Sequence, residues 1–569
     1  MKRAIFLISL LGAFSLVFAA KDSPKVYPLR WVRVGARLRT DADVEKFRKI
    51  AEVAAQHGLN GILLSAGLDS MDLQPAEYHQ CLKQVRAICE TLHLDIIPSF
   101  LSAGYGGAVL AHDKNLAAGL PVKDALFVAK GGVAGLVPDP AVNLTNGNFE
   151  NSAPDSIQGF VPTGKPGEFV VVDGAIFREG EKSLRFENFK KAAAETVSIR
   201  QTVGVKPYRG YRLSCFIKAE NLRPSDPFGD SNFQLKVLGG EEKRPLQFEN
   251  PKLSPNDDWH RVSVGFNSWG YDKVEIVPSM SGGGEGKFWI DDLRLEELGL
   301  VNLLRRPGTP LAVKSESTGR IYEESRDFVE TKDPLLNFHW DHEGPPLTLL
   351  PGTRIREGER LRVSFYHGTR IYNDQTPICM SEPKVYEIWE KAVRLVHEAL
   401  APRFYLLNMD ELRTGGSCEA CRKRHLTMGQ ILGDTLTRQQ GIIKAVNPKA
   451  EVFVWSDMMD PNHNAKPDRK WYYLAEGTYT DAWKYIPKDL NIICWYFEVR
   501  DASLKHFSSL GFQTMAGSYY DADNLENPKG WLRSLDKTPG ACGILYTTWL
   551  DKYELLGPFG DLVSKRTED

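Results

Sequence analysis

The chain is short of several things, and each shortage excludes a class of protein. Cysteine is sparse: eight residues in 569, too few and too scattered for a fold held together by disulfides. Neither sign of charge dominates. Seventy-one Lys and Arg stand against 73 Asp and Glu, a net charge of −2, which gives no electrostatic reason to expect nucleic acid or an anionic membrane surface as partner. After the N-terminal stretch, no window approaches about 18 uninterrupted apolar residues, so no later segment is expected to cross a bilayer. Familiar catalytic motifs are missing as well. There is no Gly-x-Ser-x-Gly elbow and no His-Glu-x-x-His helix. Ser281-Gly282-Gly283-Gly284 lies in a β-rich region rather than between a strand and a helix, and reads as a turn, not a phosphate cradle.

What is present begins with residues 1–20, MKRAIFLISLLGAFSLVFAA. Two basic residues, an apolar run and closing small residues have the build of a secretory signal peptide. They imply a secreted or periplasmic protein with no membrane attachment after cleavage.

Short apolar runs then alternate with helical periodicity. Trp31–Ala36, Gly61–Leu64 and Leu94–Phe100 read as strands, with amphipathic helices over Asp41–His57 and Glu77–Leu92 between them. Between residues 143 and 297 the helical pattern stops. Short β-type runs such as Tyr211–Ala219 and Trp259–Phe266 follow one another, separated by Gly, Pro, Asn and Asp, which predicts a β-sandwich. After a polar connection over 298–360 the first pattern resumes. Further strands are expected at Leu361–His367, Phe404–Met409, Val452–Trp455, Ile492–Phe497, Thr514–Tyr519 and Gly543–Thr547. That gives nine candidates for eight places, of which Leu361–His367 and Thr514–Tyr519 fit least well. The expected fold is α/β: a (β/α)8 TIM barrel in two parts, 28–140 and 361–565, with a β-sandwich inserted between them.

The insert opens with Asn146-Gly147-Asn148-Phe149-Glu150 and closes with Trp289-Ile290-Asp291-Asp292-Leu293-Arg294. These edges resemble jelly-roll carbohydrate-binding modules. The resemblance implies a structural calcium, for which Glu150 and Asp291 are the candidate ligands, since a hard cation takes oxygen donors.

The ends of the expected barrel strands carry polar and aromatic residues that a core does not require. They include Ser102 to Gly107, Tyr366-His367, Asn408-Met409-Asp410-Glu411-Leu412-Arg413, Trp455-Ser456-Asp457, Trp495 to Glu498, Ser518-Tyr519-Tyr520-Asp521 and Trp549-Leu550-Asp551. Carboxylates and indoles recurring at one end of successive strands suit a sugar pocket, so an oligosaccharide or polysaccharide is the expected partner. The stretch from Phe404 to Asp551 resembles the catalytic domain of glycoside hydrolase family 20, the β-N-acetylhexosaminidases. By that resemblance Glu411 is the general acid/base and Asp410 orients the substrate's 2-acetamido group, which acts as nucleophile. It further implies that Trp455, Trp495 and Trp549 line the pocket, that Tyr519 or Tyr520 with Asp521 holds the acetamido oxygen, and that Arg37 grips sugar hydroxyls. Asp551 stands near a family glutamate. Arg413, Asp457 and His367 join the candidate substrate contacts, and no cofactor is needed for this chemistry. The family's His-x-Gly-Gly before the acid pair is replaced by Leu406-Leu407-Asn408-Met409. Two alternatives keep the barrel: a glycosidase for a different polysaccharide with Glu411 as general acid, and a non-catalytic glycan-binding barrel.

Cys418 and Cys421, in Cys418-Glu419-Ala420-Cys421 with His425 following, are spaced for a disulfide or for part of a zinc site that is one ligand short of four. His463 and Cys494 are candidates for the missing ligand.

Overall fold

The computed structural model describes residues 25–192, 196–223, 233–280, 284–371, 374–467 and 474–566. The expected signal peptide lies outside them, as do residues 281–283. Eight parallel strands close into a barrel: β1 (Leu29–Gly35), β2 (Gly61–Ser65), β3 (Asp95–Phe100), β4 (Phe404–Leu407), β5 (Glu451–Trp455), β6 (Asn491–Cys494), β7 (Thr514–Tyr519) and β8 (Ala541–Thr547). β1 pairs with both β2 and β8, which completes the ring. Among the described residues, the helices longer than six residues are α1 (Asp41–Gln56), α2 (Ala76–Thr91), α3 (Pro383–Leu400), α4 (Met428–Val446), α5 (Arg500–Ser509), α6 (Glu526–Leu535) and α7 (Leu556–Ser564).

The strands are apolar on both faces because both faces are covered. β4 and β6 are buried at every position. Trp31, Leu63, Ile97, Phe404, Leu406, Phe453, Ile493 and Leu545 fill the interior, while their neighbours Val32, Val34, Ile62 and Leu64 pack outward with the helices. The Trp31 indole plugs the interior, 5.3 Å from the Phe404 ring and 4.9 Å from Phe453. A Cβ at Gly61 would lie 2.5 Å from that indole, so the start of β2 admits no side chain. Capping boxes start α1 at Thr40 and Asp43 and α4 at Thr427 and Gln430.

The insert is a sandwich of two five-stranded antiparallel sheets. One runs in the order Asp257–Asn267, Gly210–Arg223, Glu285–Leu298, Ser183–Phe186, Val170–Asp173; the other in the order Arg244–Glu249, Phe233–Gly239, Lys273–Met280, Val197–Gly204, Val161–Pro162. Phe186, Phe233 and Phe288 anchor its core, the Phe186 and Phe288 rings stacked at 4.6 Å.

Glu150 and Asp291, the candidate calcium ligands, each accept backbone N–H groups. Glu150 Oε1 accepts from the backbone N–H of Glu181 and Lys182 at 2.9 and 3.1 Å, and Asp291 Oδ2 from those of Arg178 and Glu179 at 2.9 and 3.2 Å. The Lys182 ammonium donates to the carbonyls of Glu150 and Ser152 at 2.9 and 3.0 Å. Among the described residues, neither carboxylate belongs to a cluster of three or more acidic, His or Cys side chains.

A third layer went unforeseen. Six antiparallel strands line up as Ile321–Tyr322, Ala312–Ser315, Arg360–His367, Leu120–Lys130, Val133–Leu136 and Leu347–Thr348, over a separate core of Val122, Phe127, Leu361, Val363 and Phe365. Leu361–His367 is therefore the surplus candidate and not a barrel strand. Likewise, part of 298–360 is sheet and not merely connection. His367, expected at the barrel mouth, is instead fully buried. Its Nε2 lies 3.1 Å from Asn267 Nδ2 and its ring 4.2 Å from that of Trp340, where the insert meets this third sheet. It packs, and touches no open surface.

Burial pushes the His367 pKa down from 6.5 to about 3. Between those values the unfolded chain binds a proton that the folded one refuses, so stability falls as pH drops through this window. Denaturant titrations from pH 7 to pH 3 are expected to show that slope. In His367→Gln it should flatten by up to about 1.4 kcal/mol per pH unit.

Candidate active site at the barrel mouth

The chain leaves β4 at Leu407 and turns at once. Asn408 ties the turn to both neighbouring strands, its Oδ1 accepting from Ser99 Oγ of β3 at 2.8 Å and from Trp455 Nε1 of β5 at 3.3 Å. Glu411 then adopts a left-handed conformation, φ 49°, uncommon for a residue with a Cβ. Two hydrogen bonds hold it there. Its N–H donates to Asp457 Oδ2 at 2.9 Å, and its carbonyl accepts from Gln375 Nε2 at 2.9 Å. From the other side Gly104 presses close: a Cβ there would lie 2.5 Å from the Asp410 carbonyl oxygen.

Three carboxyl groups meet at this turn in different surroundings. Glu411 is dressed as an anion. Oε1 pairs with Arg413 Nη2 at 2.9 Å and Oε2 accepts from the Tyr105 hydroxyl. Arg413 is buried, and its Nη1 reaches Gln375 Oε1 at 2.5 Å. Asp410 is the opposite case. Burial, and then the charges of Asp457 and Glu411, push its pKa up to about 8. Asp457 is fully buried just past β5. Its Oδ2 accepts from Asn464 Nδ2 at 2.9 Å as well as from Glu411 N–H, while Oδ1 has no hydrogen-bond partner among the described residues. Burial raises its pKa to about 7. Neighbouring carboxyl groups whose charges act on one another titrate as a pair rather than singly.

The opposite side of the mouth is built on Arg33, a residue that the sequence reading passed over. It follows Trp31 by two on β1 and so shares its inward face. Its Nη1 donates to the Thr548 carbonyl at 2.8 Å and its guanidinium lies 4.1 Å from the centre of the Trp549 ring. Asp410, Asp521 and Asp551 all act on its charge. Arg37, two residues beyond the end of β1, is exposed.

The other expected residues separate into three groups. Trp455 and Trp495 flank Gly517, each 3.2 Å from where its Cβ would stand, and Trp549 and Tyr520 are exposed at the rim. Asp521 serves the loop after β8, accepting from Trp549 N–H at 2.8 Å, Leu550 N–H at 3.3 Å and the Thr548 hydroxyl. Tyr519 turns away from the mouth and stacks on Tyr546 at 4.1 Å, and Asp551 forms a surface ion pair with Lys46 at 2.7 Å. Tyr105, Gln375 and Arg33 are the additions. Tyr105 and Gln375 also line an adjoining cavity of about 500 Å³, together with Phe338 and Asp374.

Cys418 and Cys421 lie further along the loop after β4, and the residue that joins them is Cys379. Neither expected partner does so. His463 packs against Trp495 and Tyr496, with ring centres 4.5 and 4.6 Å away, and Cys494 is buried within β6.

No protein-family model matches the chain, and no curated protein matches it. Among solved structures, a rhamnosidase from Novosphingobium sp. PP1Y is 11% identical with a TM-score of 0.35, covering 96% of this chain; this chain spans 59% of that protein. TmCBM61 in complex with β-1,4-galactotriose is 19% identical over 27% of this chain and 97% of its own, TM-score 0.20. A family 16 carbohydrate-binding module is 17% identical over 26% of this chain and 96% of its own, TM-score 0.19.

Gly104 offers a test of the turn. In Gly104→Ala the added methyl meets a backbone carbonyl, so denaturant unfolding is expected to show a loss of about 1–3 kcal/mol. The far-UV circular dichroism spectrum should stay unchanged.

Proposed function

We propose that the chain is a glycoside hydrolase in which Asp410 is the proton donor and Glu411 the anionic partner. The observation that carries this reading is the contrast between the two neighbouring carboxyl groups. Glycosidic cleavage needs one group that still holds a proton at working pH, to protonate the leaving oxygen. It needs a second that is negative, to meet the positive charge developing at the anomeric carbon. Desolvation of its carboxyl, and then the charge of Asp457, push the Asp410 pKa up to about 8. Glu411 receives donors on both oxygens, from Arg413 and Tyr105, which suits a carboxylate and leaves a protonated acid with nothing to donate to. These roles reverse those implied by the family 20 resemblance. Arg33 and the rim residues Trp549 and Tyr520 supply hydroxyl-binding and ring-stacking surfaces of the kind sugars use.

The acetamide mechanism has less behind it. Of the two tyrosines that could hold the acetamido oxygen, Tyr519 stacks outward on Tyr546 and only Tyr520 stands at the rim, while Arg37 stands clear of the strand end. A glycan without an N-acetyl requirement is accordingly the preferred substrate class.

A panel of nitrophenyl glycosides and unlabelled plant and bacterial polysaccharides, assayed with wild type, Asp410→Asn and Glu411→Gln, tests the proposal. Each substitution is expected to lower turnover about 10²–10⁴-fold. Hydrolysis confined to N-acetylhexosaminides would restore the acetamide mechanism. Turnover undiminished in both variants would remove the two residues from catalysis.

The pH profile gives an independent check. Activity that needs protonated Asp410 is lost as pH rises through about 8. Asp457→Asn removes a neighbouring negative charge, so it lowers the Asp410 pKa and is expected to shift the alkaline limb to lower pH.

A further inference from the structure

Two thiols of the loop after β4, Cys418 and Cys421, meet a third from a distant part of the chain, Cys379. Cys379 Sγ lies 3.2 Å from Cys418 Sγ and 3.6 Å from Cys421 Sγ, and the last two are 3.5 Å apart. All three residues are buried. We propose that Cys379, Cys418 and Cys421 bind one zinc ion as a tris-thiolate site, with a water molecule as fourth ligand.

The argument is geometric and chemical. Thiolates held at about 2.3 Å around a tetrahedral zinc stand roughly 3.8 Å from one another, so this triangle needs to open by only a few tenths of an ångström. A disulfide uses two sulfurs and would leave the third thiol buried against the bond, placed for thiol–disulfide exchange. One metal ion satisfies all three. Three thiolates serving three different irons of a cluster would stand much further apart than these do.

Charge supports the same assignment. Three thiolates on Zn²⁺ leave one net negative charge in a buried place, which is costly without a counter-charge. Arg306 supplies one. Its side chain is buried, anchored by Nε to Glu382 Oε1 at 2.8 Å and by Nη1 to the Asn115 carbonyl at 2.8 Å, and its charge acts on Cys379 and Cys418. Its Nη2 has no hydrogen-bond partner among the described residues.

Such an ion would join two arms of the candidate active site. Cys379 follows Gln375, which holds the Glu411 carbonyl and Arg413, while Cys418 and Cys421 follow Glu411 and Arg413 along the loop after β4. The site needs no glycosidase activity to exist, so its test is separate from that of the proposed function.

The experiment is metal analysis by inductively coupled plasma mass spectrometry on full-length protein purified with zinc present and desalted. The expected result is about one zinc per chain in wild type, and in Cys215→Ser and Cys542→Ser, whose thiols lie elsewhere. Cys379→Ser, Cys418→Ser and Cys421→Ser should each fall to a small fraction of that. Cobalt-reconstituted wild type, which does not depend on any variant folding, should show sulfur-to-metal charge-transfer absorption. Wild-type protein without zinc, or peptide mapping that finds two of the three cysteines cross-linked, would overturn the proposal.

Discussion

The hydrogen bond from Glu411 N–H to Asp457 is the contact on which the barrel mouth depends. A carboxyl group as buried as that of Asp457 needs a donor, and the nearest backbone can supply one only where the chain leaves strand geometry. Glu411 does so, in the left-handed region. The turn has a second effect. Consecutive residues of a strand point to opposite faces, which would send one of two adjacent acids outward. Breaking the strand at this point lets Asp410 and Glu411 share one mouth. Gln375, Arg413, Tyr105 and Gly104 then fit around a backbone that the buried acid has already bent.

Much of the fold was legible in the sequence because parallel barrel strands and one-sided antiparallel strands are written differently. Phe404-Tyr405-Leu406-Leu407 is apolar throughout. Leu361-Arg362-Val363-Ser364-Phe365-Tyr366-His367 alternates, with Leu361, Val363, Phe365 and His367 buried. That alternation marked the surplus strand in advance, and counting strands without weighing their pattern left it unresolved. The choice of arginine was readable by the same logic. Inward positions on β1 are odd-numbered, so Trp31 and Arg33 belong together and Arg37 falls beyond the strand. Other features were beyond reach. Nothing near Cys418 pointed to Cys379, nor near Glu411 to Gln375, because those meetings depend on how two long loops return to the barrel. The outward turn of Tyr519 depends on its partner Tyr546 across the β7–β8 pair.

The architecture puts different kinds of polar order to different uses. In the insert, carboxylates accept backbone amides and a lysine ammonium caps two carbonyls. Between the insert and the third sheet, Arg209 pairs with buried Glu297 at 3.1 Å and reaches the Asp124 carbonyl at 2.8 Å. At the mouth, by contrast, Asp410 and Asp457 crowd like charges together. Arrangements that cost stability tend to gather where chemistry is done.

The connection between β3 and β4 has a consequence for how the chain is made. These strands are neighbours in the ring, Leu406 opposite Ser99, yet roughly 300 residues separate them. A ribosome releases the first three strands long before β4, the second partner of β3, exists. Their open edge is exposed for the whole time that the third sheet and the sandwich are being synthesised. Folding of those two layers brings the ends of the excursion together and so shortens the effective loop that barrel closure must pay for. The inserted layers, whatever they bind, therefore act during synthesis as the splint that returns the chain to its own barrel.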